Sequence, residues 1–149
     1  MLAGERIYIR PLERTDLEGD TEWARMDPGK LREIHEKSQG DLKRDMFVIL
    51  NEKRERIGHI EYVSYRPADR RTQCNISLSE PHTGQGYGTD ALRIFSEFLF
   101  EKLEIDLIGL IVNMKNERAI HCYQKCGYSV RHRFPEKGDL VMVLERSDA

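Results

Sequence analysis

The stretch His82-Thr83-Gly84-Gln85-Gly86-Tyr87-Gly88-Thr89-Asp90-Ala91-Leu92 (HTGQGYGTDAL, residues 82–92) decides the fold. Three glycines stand at alternate positions, 84, 86 and 88, and then the chain turns into a helical pattern. Glycine costs about 1 kcal/mol against alanine inside a helix and loses the most entropy on folding. A chain that places three of them before a helix needs either positive φ or a close approach to bare backbone.

The flanks set the frame. Leu92, Phe95 and Leu99, widened by Ala91 and Phe98, form a stripe at helical spacing and predict a helix over 89–102. QCNISLS (73–79) before the loop reads as a strand, and LIGLIV (107–112) after the helix reads as a buried strand. The three together form a right-handed β-α-β unit.

Further out, RIYIRPL gives a first strand through Ile7 and Ile9, closed by Pro11. TDLE at Thr15–Glu18 matches a capping box and predicts a helix over 16–26, broken by Asp27-Pro28-Gly29. A short helix over 30–38 follows, with Leu31 and Ile34 inward and Gly40 at its end. MFVIL (46–50) and IGHIEYVSY (57–65) form a hairpin across NEKRER. A helix over 116–127 closes on Gly127. Two last strands, YSVRHRF and LVMVLE, flank PEKGD. The expectation is one α/β (α+β) domain over 1–149, with about seven strands, mixed and mostly antiparallel, and about four helices.

Composition narrows the function. The 149 residues are 39% hydrophobic and 34% charged, with a net charge of −2, which disfavours nucleic acid as the main partner. No 18-residue apolar run predicts a membrane span, and MLAGERIYIRP carries no signal-peptide pattern. The three cysteines, Cys74, Cys122 and Cys126, read as reduced thiols of a cytoplasmic protein. Cys122 and Cys126 lack the second ligand pair of a metal site, so no metal is expected.

Three phosphate-binding patterns compete for the glycine stretch. A dinucleotide fingerprint needs G-x-G-x-x-G and an acidic residue on the next strand; the spacing here is G-x-G-x-G and LIGLIV has no carboxylate. A P-loop needs lysine after its glycines, which is absent. A pyrophosphate cradle at a helix N-terminus fits, with backbone N–H groups of Thr83, Gly84, Gln85, Gly86, Tyr87, Gly88 and Thr89 as donors. A tight strand-to-helix turn without ligand fits as well.

In NMKNERAIHCYQKCGY (113–128), Asn116, Ala119, Ile120 and Tyr123 share one helical face. An amide, a small residue and a phenol in a row suit a ligand; a core tyrosine is the plainer reading of Tyr123. GQGYGTDAL and NERAIHCYQKCGY, in this order and spacing, resemble the GNAT superfamily of acetyl-CoA-dependent N-acetyltransferases, in particular the RimJ/RimL and spermidine-acetyltransferase branch. The likeness runs from IYIRPLERTDL to LVMVLER and is strongest over 57–128.

The resemblance implies a GNAT fold whose central parallel strands splay apart. It implies that Thr83 to Gly88 hold the pyrophosphate, with threonine at 83 where the family has arginine or glutamine. It implies that a backbone N–H of Leu78 or Ser79 faces the thioester oxygen, that Asn116 contacts acetyl-CoA and Ala119 lets it pass, and that Tyr123 protonates the departing thiolate. The strand before the loop has no carboxylate, so Glu61 in GHIEYVSY is the candidate base, the alternative being a solvated strand glutamate. His59 and His121 read as surface or core histidines, and Cys122 as a packing residue. The acceptor is a primary amine of a small molecule, a polyamine or a protein N-terminus. Asp16, Glu18, Asp20, Glu22, Glu33 and Glu36 suit a polycation, but interspersed Arg14, Arg25, Lys30, Arg32 and Lys37 favour a solvated charged face. A non-catalytic acetyl-CoA sensor is the competing function, and a homodimer through sheet edges or C-terminal strands is left open.

Overall fold

The computed structural model describes residues 2–17 and 45–147. Within them eight strands make one sheet: β1 (Leu2–Ala3), β2 (Ile7–Pro11), β3 (Asp45–Asn51), β4 (Arg56–Arg66), β5 (Arg71–Leu78), β6 (Leu107–Asn113), β7 (Ser129–Phe134) and β8 (Asp139–Glu145). Their order is β1-β2-β3-β4-β5-β6-β8-β7. Only β5 and β6 run parallel. Helices α1 (Tyr87–Lys102) and α2 (Glu117–Lys125) follow β5 and β6, and short 3₁₀ turns span Arg14–Leu17 and Glu80–His82.

The sheet has one strand more than expected. β1 is two residues long, pairing Leu2 with Ile9 and Ala3 with Tyr8, too short to carry a periodic pattern. Of the helix expected over 16–26, only residues 16 and 17 are described, and they lie in a 3₁₀ turn. The rest of it, the helix over 30–38 and five of the six acidic candidates lie outside the described residues. The sixth, Asp16, is 1% exposed, and its carboxylate accepts from Arg10 at 2.8 Å and Arg56 at 3.1 Å. Burial alone would raise its pKa, but these bonds and the Glu13 N–H hold it below the usual range. It ties the turn to the sheet instead of facing solvent or a ligand.

The stripe read from the sequence is the core. Ala91, Leu92, Phe95 and Leu99 of α1 are fully buried, packed with Ile49, Ile57, Ile60, Ile105 and Ile108. Phe95 meets the Phe47 ring edge-on at 5.3 Å. A second cluster of Leu12, Met46, Val48 and Leu50 lies on the other face of the sheet.

The first turn of α1 is pinned to the start of the chain. The buried Asp90 carboxylate accepts from the N–H groups of Arg6 at 2.8 Å and Glu5 at 3.2 Å. A carboxylate there also sits well with the helix dipole. A Cβ on Gly4 would stand 2.6 Å from Asp90 Oδ1, so any larger residue there would push this carboxylate off its bonds.

β5 and β6 pair over just three positions: Arg71 with Leu107, Thr72 with Ile108 and Gln73 with Gly109. Beyond them the strands part. β5 stays paired to β4 as far as Leu78, and β6 to β8 as far as Asn113, so each keeps its outer neighbour while the inner edges separate.

Truncating the centre of this core tests the packing. Phe95→Ala is predicted to lower unfolding free energy by about 3–5 kcal/mol. Urea denaturation would show a lower midpoint at an unchanged slope. A loss under about 1 kcal/mol would remove Phe95 from the centre of the fold.

Candidate active site

The glycine loop has two physical reasons for its composition. Gly84 and Gly86 have φ of +74° and +84°, a region that costs other residues about 1–2 kcal/mol. Gly86 is also the N-cap of α1 and provides no side-chain cap, so the first-turn N–H groups keep their donor capacity for an anion. At Gly88 a Cβ would make ordinary contact, 3.4 Å from Leu78 and 3.6 Å from the Cys122 sulfur, so packing within the protein does not itself demand glycine there.

The loop borders a cavity of about 380 Å³ beside the part of β5 that has parted from β6. Ile76 and Leu78 line it from β5, and Thr83, Gly84, Gly86, Gly88 and Thr89 from the loop and α1. Asn116, Arg118, Ala119, His121, Cys122, Tyr123 and Lys125 complete it from α2. The size suits a ligand site, with an apolar inner end and polar groups at its mouth.

Not every expected side chain faces this cavity. Gln85 turns outward, its amide donating to Pro81 O at 2.8 Å and its carbonyl accepting from Arg6 at 2.6 Å. Tyr87 is buried, donates to Glu52 at 2.9 Å and carries the Arg6 guanidinium 4.4 Å over its ring. These two shape the loop from behind. Asn116 is the N-cap of α2, its side-chain oxygen accepting from Ala119 N at 3.2 Å.

The backbone at the end of β5 separates Leu78 from Ser79. Ser79 N–H donates to Ile57 O at 2.8 Å and its hydroxyl meets His82 Nδ1 at 2.8 Å, so its amide is occupied. Bonded positions alternate along an antiparallel ladder. With Leu78 opposite Gly58, one residue from the bonded Ser79, the Leu78 N–H turns to the open side. Of the two expected donors, Leu78 is the available one.

Tyr123 stands at the inner end of the cavity, 9% exposed and 6.5 Å from the Tyr128 ring. Burial, then the nearby cysteines, pushes its phenol up to about 12, so it holds its proton throughout the neutral range. Cys122, one residue earlier on α2, is half-buried and lines the same cavity. The hydrogen bond from Cys126 pulls its thiol down to about 6 against the opposing effect of burial, helped by Thr89 at 3.3 Å and by Lys125 and Arg93. Cys126, the other partner in that bond, is held above the ordinary range; its sulfur also lies 3.4 Å from Thr89 O, the alternative acceptor for its one S–H. Cys74 is fully buried and its thiol is strongly raised by that burial. Among the described residues no group of three or more His, Cys, Asp or Glu could hold a metal, and no helix is long and apolar enough to cross a membrane.

Glu61 is not a solvated strand glutamate: it is 5% exposed. It pairs across the ladder with Met46, which puts it on the second face of the sheet, opposite the core that contains Tyr123. Its carboxylate accepts from Asn75 Nδ2 at 3.1 Å, and Asn75 Oδ1 accepts from Gln73 at 3.3 Å. This row runs from Glu61 to the last paired position of β5, the base of the split. His59, on the same strand, is held below its usual pKa by burial, partly offset by Glu61.

Two residues at the site escaped the sequence reading. Arg6 supports the loop from below, as above. Arg118 reaches from α2 to Thr83, donating to its hydroxyl at 2.9 Å. Each contact joins positions far apart in the chain, with no local signal.

Comparison with known proteins agrees with this geometry. The acetyltransferase (GNAT) domain family matches residues 6–129. The spermidine N(1)-acetyltransferase of Escherichia coli (strain K12) is 30% identical over 143 residues, covering 87% of this chain and 76% of that protein. That of Vibrio cholerae is 27% identical over 112 residues, covering 75% of this chain and 61% of that protein. The crystal structure of the Vibrio cholerae spermidine N-acetyltransferase in complex with CoA and spermine shares the fold at a TM-score of 0.81 and 21% identity, covering 93% of this chain and 95% of that one. A family match over most of the chain, on a sheet split beside a glycine-capped helix, makes this protein a member of the GNAT family, an N-acetyltransferase that uses acetyl-CoA.

Proposed function

We propose that this enzyme acetylates a primary amino group of a polyamine, with Tyr123 as the proton donor and Glu61 serving the amine. One observation carries the catalytic half. Tyr123 and the glycine-capped N-terminus of α1 line the same cavity, its phenol protonated and without a hydrogen-bond partner among the described residues. The polyamine half rests on the spermidine N(1)-acetyltransferases, 30% identical over 87% of this chain in the Escherichia coli case.

Acetyl-CoA supplies an acetyl group on a thioester; transfer forms a C–N bond to the amine and breaks the C–S bond. The loop amides and the α1 dipole hold the phosphates at the mouth. Ile76 and Leu78 hold the arm against β5, and the Leu78 N–H faces the carbonyl oxygen as it gains charge. Asn116 keeps α2 in register by capping it, and Ala119 leaves the passage open.

Proton traffic follows from burial. A primary amine with a pKa near 10.4 is neutral in only about one molecule in a few thousand at pH 7, so the enzyme must take a proton from it. Glu61 is the charge on the amine side, and its bonds to Asn75 and Gln73 extend toward the split. At the other end Tyr123 gives its proton to sulfur. A phenol at about 12 transfers poorly to a solvated thiolate. In the same buried cavity the thiolate is raised by desolvation too, which brings the pair closer together.

The test is acetyl-CoA consumption with spermidine and, in parallel, with a peptide mixture bearing free N-termini. Turnover with spermidine and not peptides supports the polyamine reading; the reverse pattern removes it. Tyr123→Phe is expected to lower kcat by about 10²–10⁴ while acetyl-CoA affinity stays unchanged. An equal fall in affinity would make Tyr123 a packing residue. Glu61→Gln is expected to cost roughly tenfold or more in kcat/KM for the amine, with the KM for acetyl-CoA unmoved.

Cys122 offers a footprint of the cofactor. Its thiol is held below the ordinary thiol range, so alkylation by iodoacetamide should already be fast at neutral pH and fall as the pH is lowered. Acetyl-CoA should slow that alkylation. Reaction that proceeds at the same rate with saturating acetyl-CoA would put the cofactor elsewhere.

A further inference from the structure

Cys122 and Cys126 stand one helical turn apart, and the transfer reaction uses neither. Their sulfurs converge on one residue of the first turn of α1. Cys122 Sγ lies 3.3 Å from the Thr89 hydroxyl, and Cys126 Sγ lies 3.4 Å from the Thr89 carbonyl oxygen. The two thiols also share a hydrogen bond. The third cysteine, Cys74, is 1% exposed and closed off from solvent.

The pair is placed to react with a small solute. Cys122 is half-buried and lines the cavity, so its sulfur is reachable through the mouth. Its thiol is held below the ordinary range, first by the Cys126 bond, which outweighs burial, and further by Thr89, Lys125 and Arg93. The thiolate is the nucleophilic form of cysteine. Cys126 is the C-cap of α2 and is followed by Gly127 at φ +94°, so it belongs to the end of the helix and not to its middle. Residues at i and i+4 have Cβ atoms about 5–6 Å apart, and a disulfide needs about 3.5–4.5 Å. Bridging the pair therefore draws the helix end in by roughly 1–2 Å. Tyr123 sits between the two positions, and its carbonyl oxygen accepts from the N–H groups of Cys126 and Tyr128, both at 3.0 Å. A displacement of Cys126 is passed directly to the tyrosine.

We propose that Cys122 and Cys126 are a peroxide-sensitive pair: hydrogen peroxide oxidises Cys122 in the cavity, Cys126 closes it to a disulfide, and acetyl transfer stops until a dithiol reopens the bridge. In the first step the Cys122 thiolate attacks one peroxide oxygen. The S–O bond forms, the O–O bond breaks, and the other oxygen leaves as hydroxide, which takes a proton from solvent to become water. Sulfur is oxidised by two electrons and the peroxide is reduced by two. In the second step Cys126 gives up its proton and its sulfur attacks that of Cys122. The S–S bond forms, the S–O bond breaks, and the departing hydroxide leaves as water with that proton. A bridge strained by the helix is readily reduced, as a reversible control requires. The loss of turnover rests on Tyr123 being the proton donor; the bridge itself does not.

The experiment treats the reduced whole chain with hydrogen peroxide, with and without acetyl-CoA, then measures turnover and maps the thiols by mass spectrometry. Trypsin cuts after Lys125, so a bridge between the pair joins peptides 119–125 and 126–131. The wild type should lose about ten- to a hundredfold in turnover as this cross-link appears, and dithiothreitol should restore it. Saturating acetyl-CoA should slow the oxidation. Cys126→Ser should stop at a sulfenic acid on Cys122 that dimedone labels. Cys122→Ser should show neither label nor cross-link, and its turnover should be the same before and after peroxide. Thiols that stay free, a bridge through Cys74 or to a second chain, or a dimedone label on Cys126 in the wild type overturns the pair. The expected cross-link with turnover unchanged overturns its control of transfer, and a Tyr123→Phe variant as active as the wild type then places that failure in the reading of Tyr123.

Discussion

Three residue pairs hold β5 to β6, and the site depends on there being no more. Two parallel strands running side by side would ordinarily satisfy each other's backbone groups along their length. Here they stop at Gln73 and Gly109, and the following residues keep their bonds only on their outer sides. The cost is a pair of unfilled strand edges inside a sheet. The return is an opening whose walls already carry aligned donors and acceptors, so a long, thin ligand with amide groups can be held by backbone. α2, which follows β6, packs beside this opening and brings Ala119 and Tyr123 to it.

An opening in a sheet needs support, and the contacts around the loop provide it. Asp90 fastens the first turn of α1 to the residues before β2. Arg6, fixed by that contact, bonds Gln85 O and covers Tyr87, so the back of the loop is rigid while its front keeps free donors. Thr89, Cys122 and Cys126 join α1 to α2 at the same level. Binding an anion here requires little reorganisation, since most of the ordering is done by folding.

How much of this could be read in the chain follows from how local each feature is. The φ-positive glycines, the stripe of α1 and Gly127 past the end of α2 leave signatures within a few residues, and all three are in the structure; LIGLIV is a strand as read, but only Ile108, Leu110 and Val112 are buried, with Ile111 exposed on the other face. Asn116 was legible as a polar residue on the ligand face; its role as helix cap could also have been read, because an asparagine just before a helix is a cap signal. Whether the amide of Leu78 or Ser79 is open depends on register with β4, a pairing of residues some 20 positions apart that no local pattern encodes. Asp16 read as part of a helix start and of an acidic face; the two arginines that enclose it come from β2 and β4. Arg118 looked like any surface arginine until Thr83 came within its reach. Local chemistry was readable, and pairings between distant positions were not.

The placement of Glu61 and Tyr123 on opposite faces of the sheet bears on the chemistry the fold can run. Acyl transfer from a thioester to an amine needs a proton removed at nitrogen and one delivered at sulfur, on opposite sides of the same carbon. A base and an acid on one face would crowd the same approach and exchange their proton with each other. A split sheet separates them. Tyr123 waits in the apolar core on the helix side, where burial keeps its proton on. Glu61 sits on the other face, linked through Asn75 to Gln73 at the base of the opening. The acetyl group, threaded between the strands, would meet the amine from one face and the acid from the other. On this reading the gap between β5 and β6 both seats the cofactor and keeps the two proton-handling groups apart.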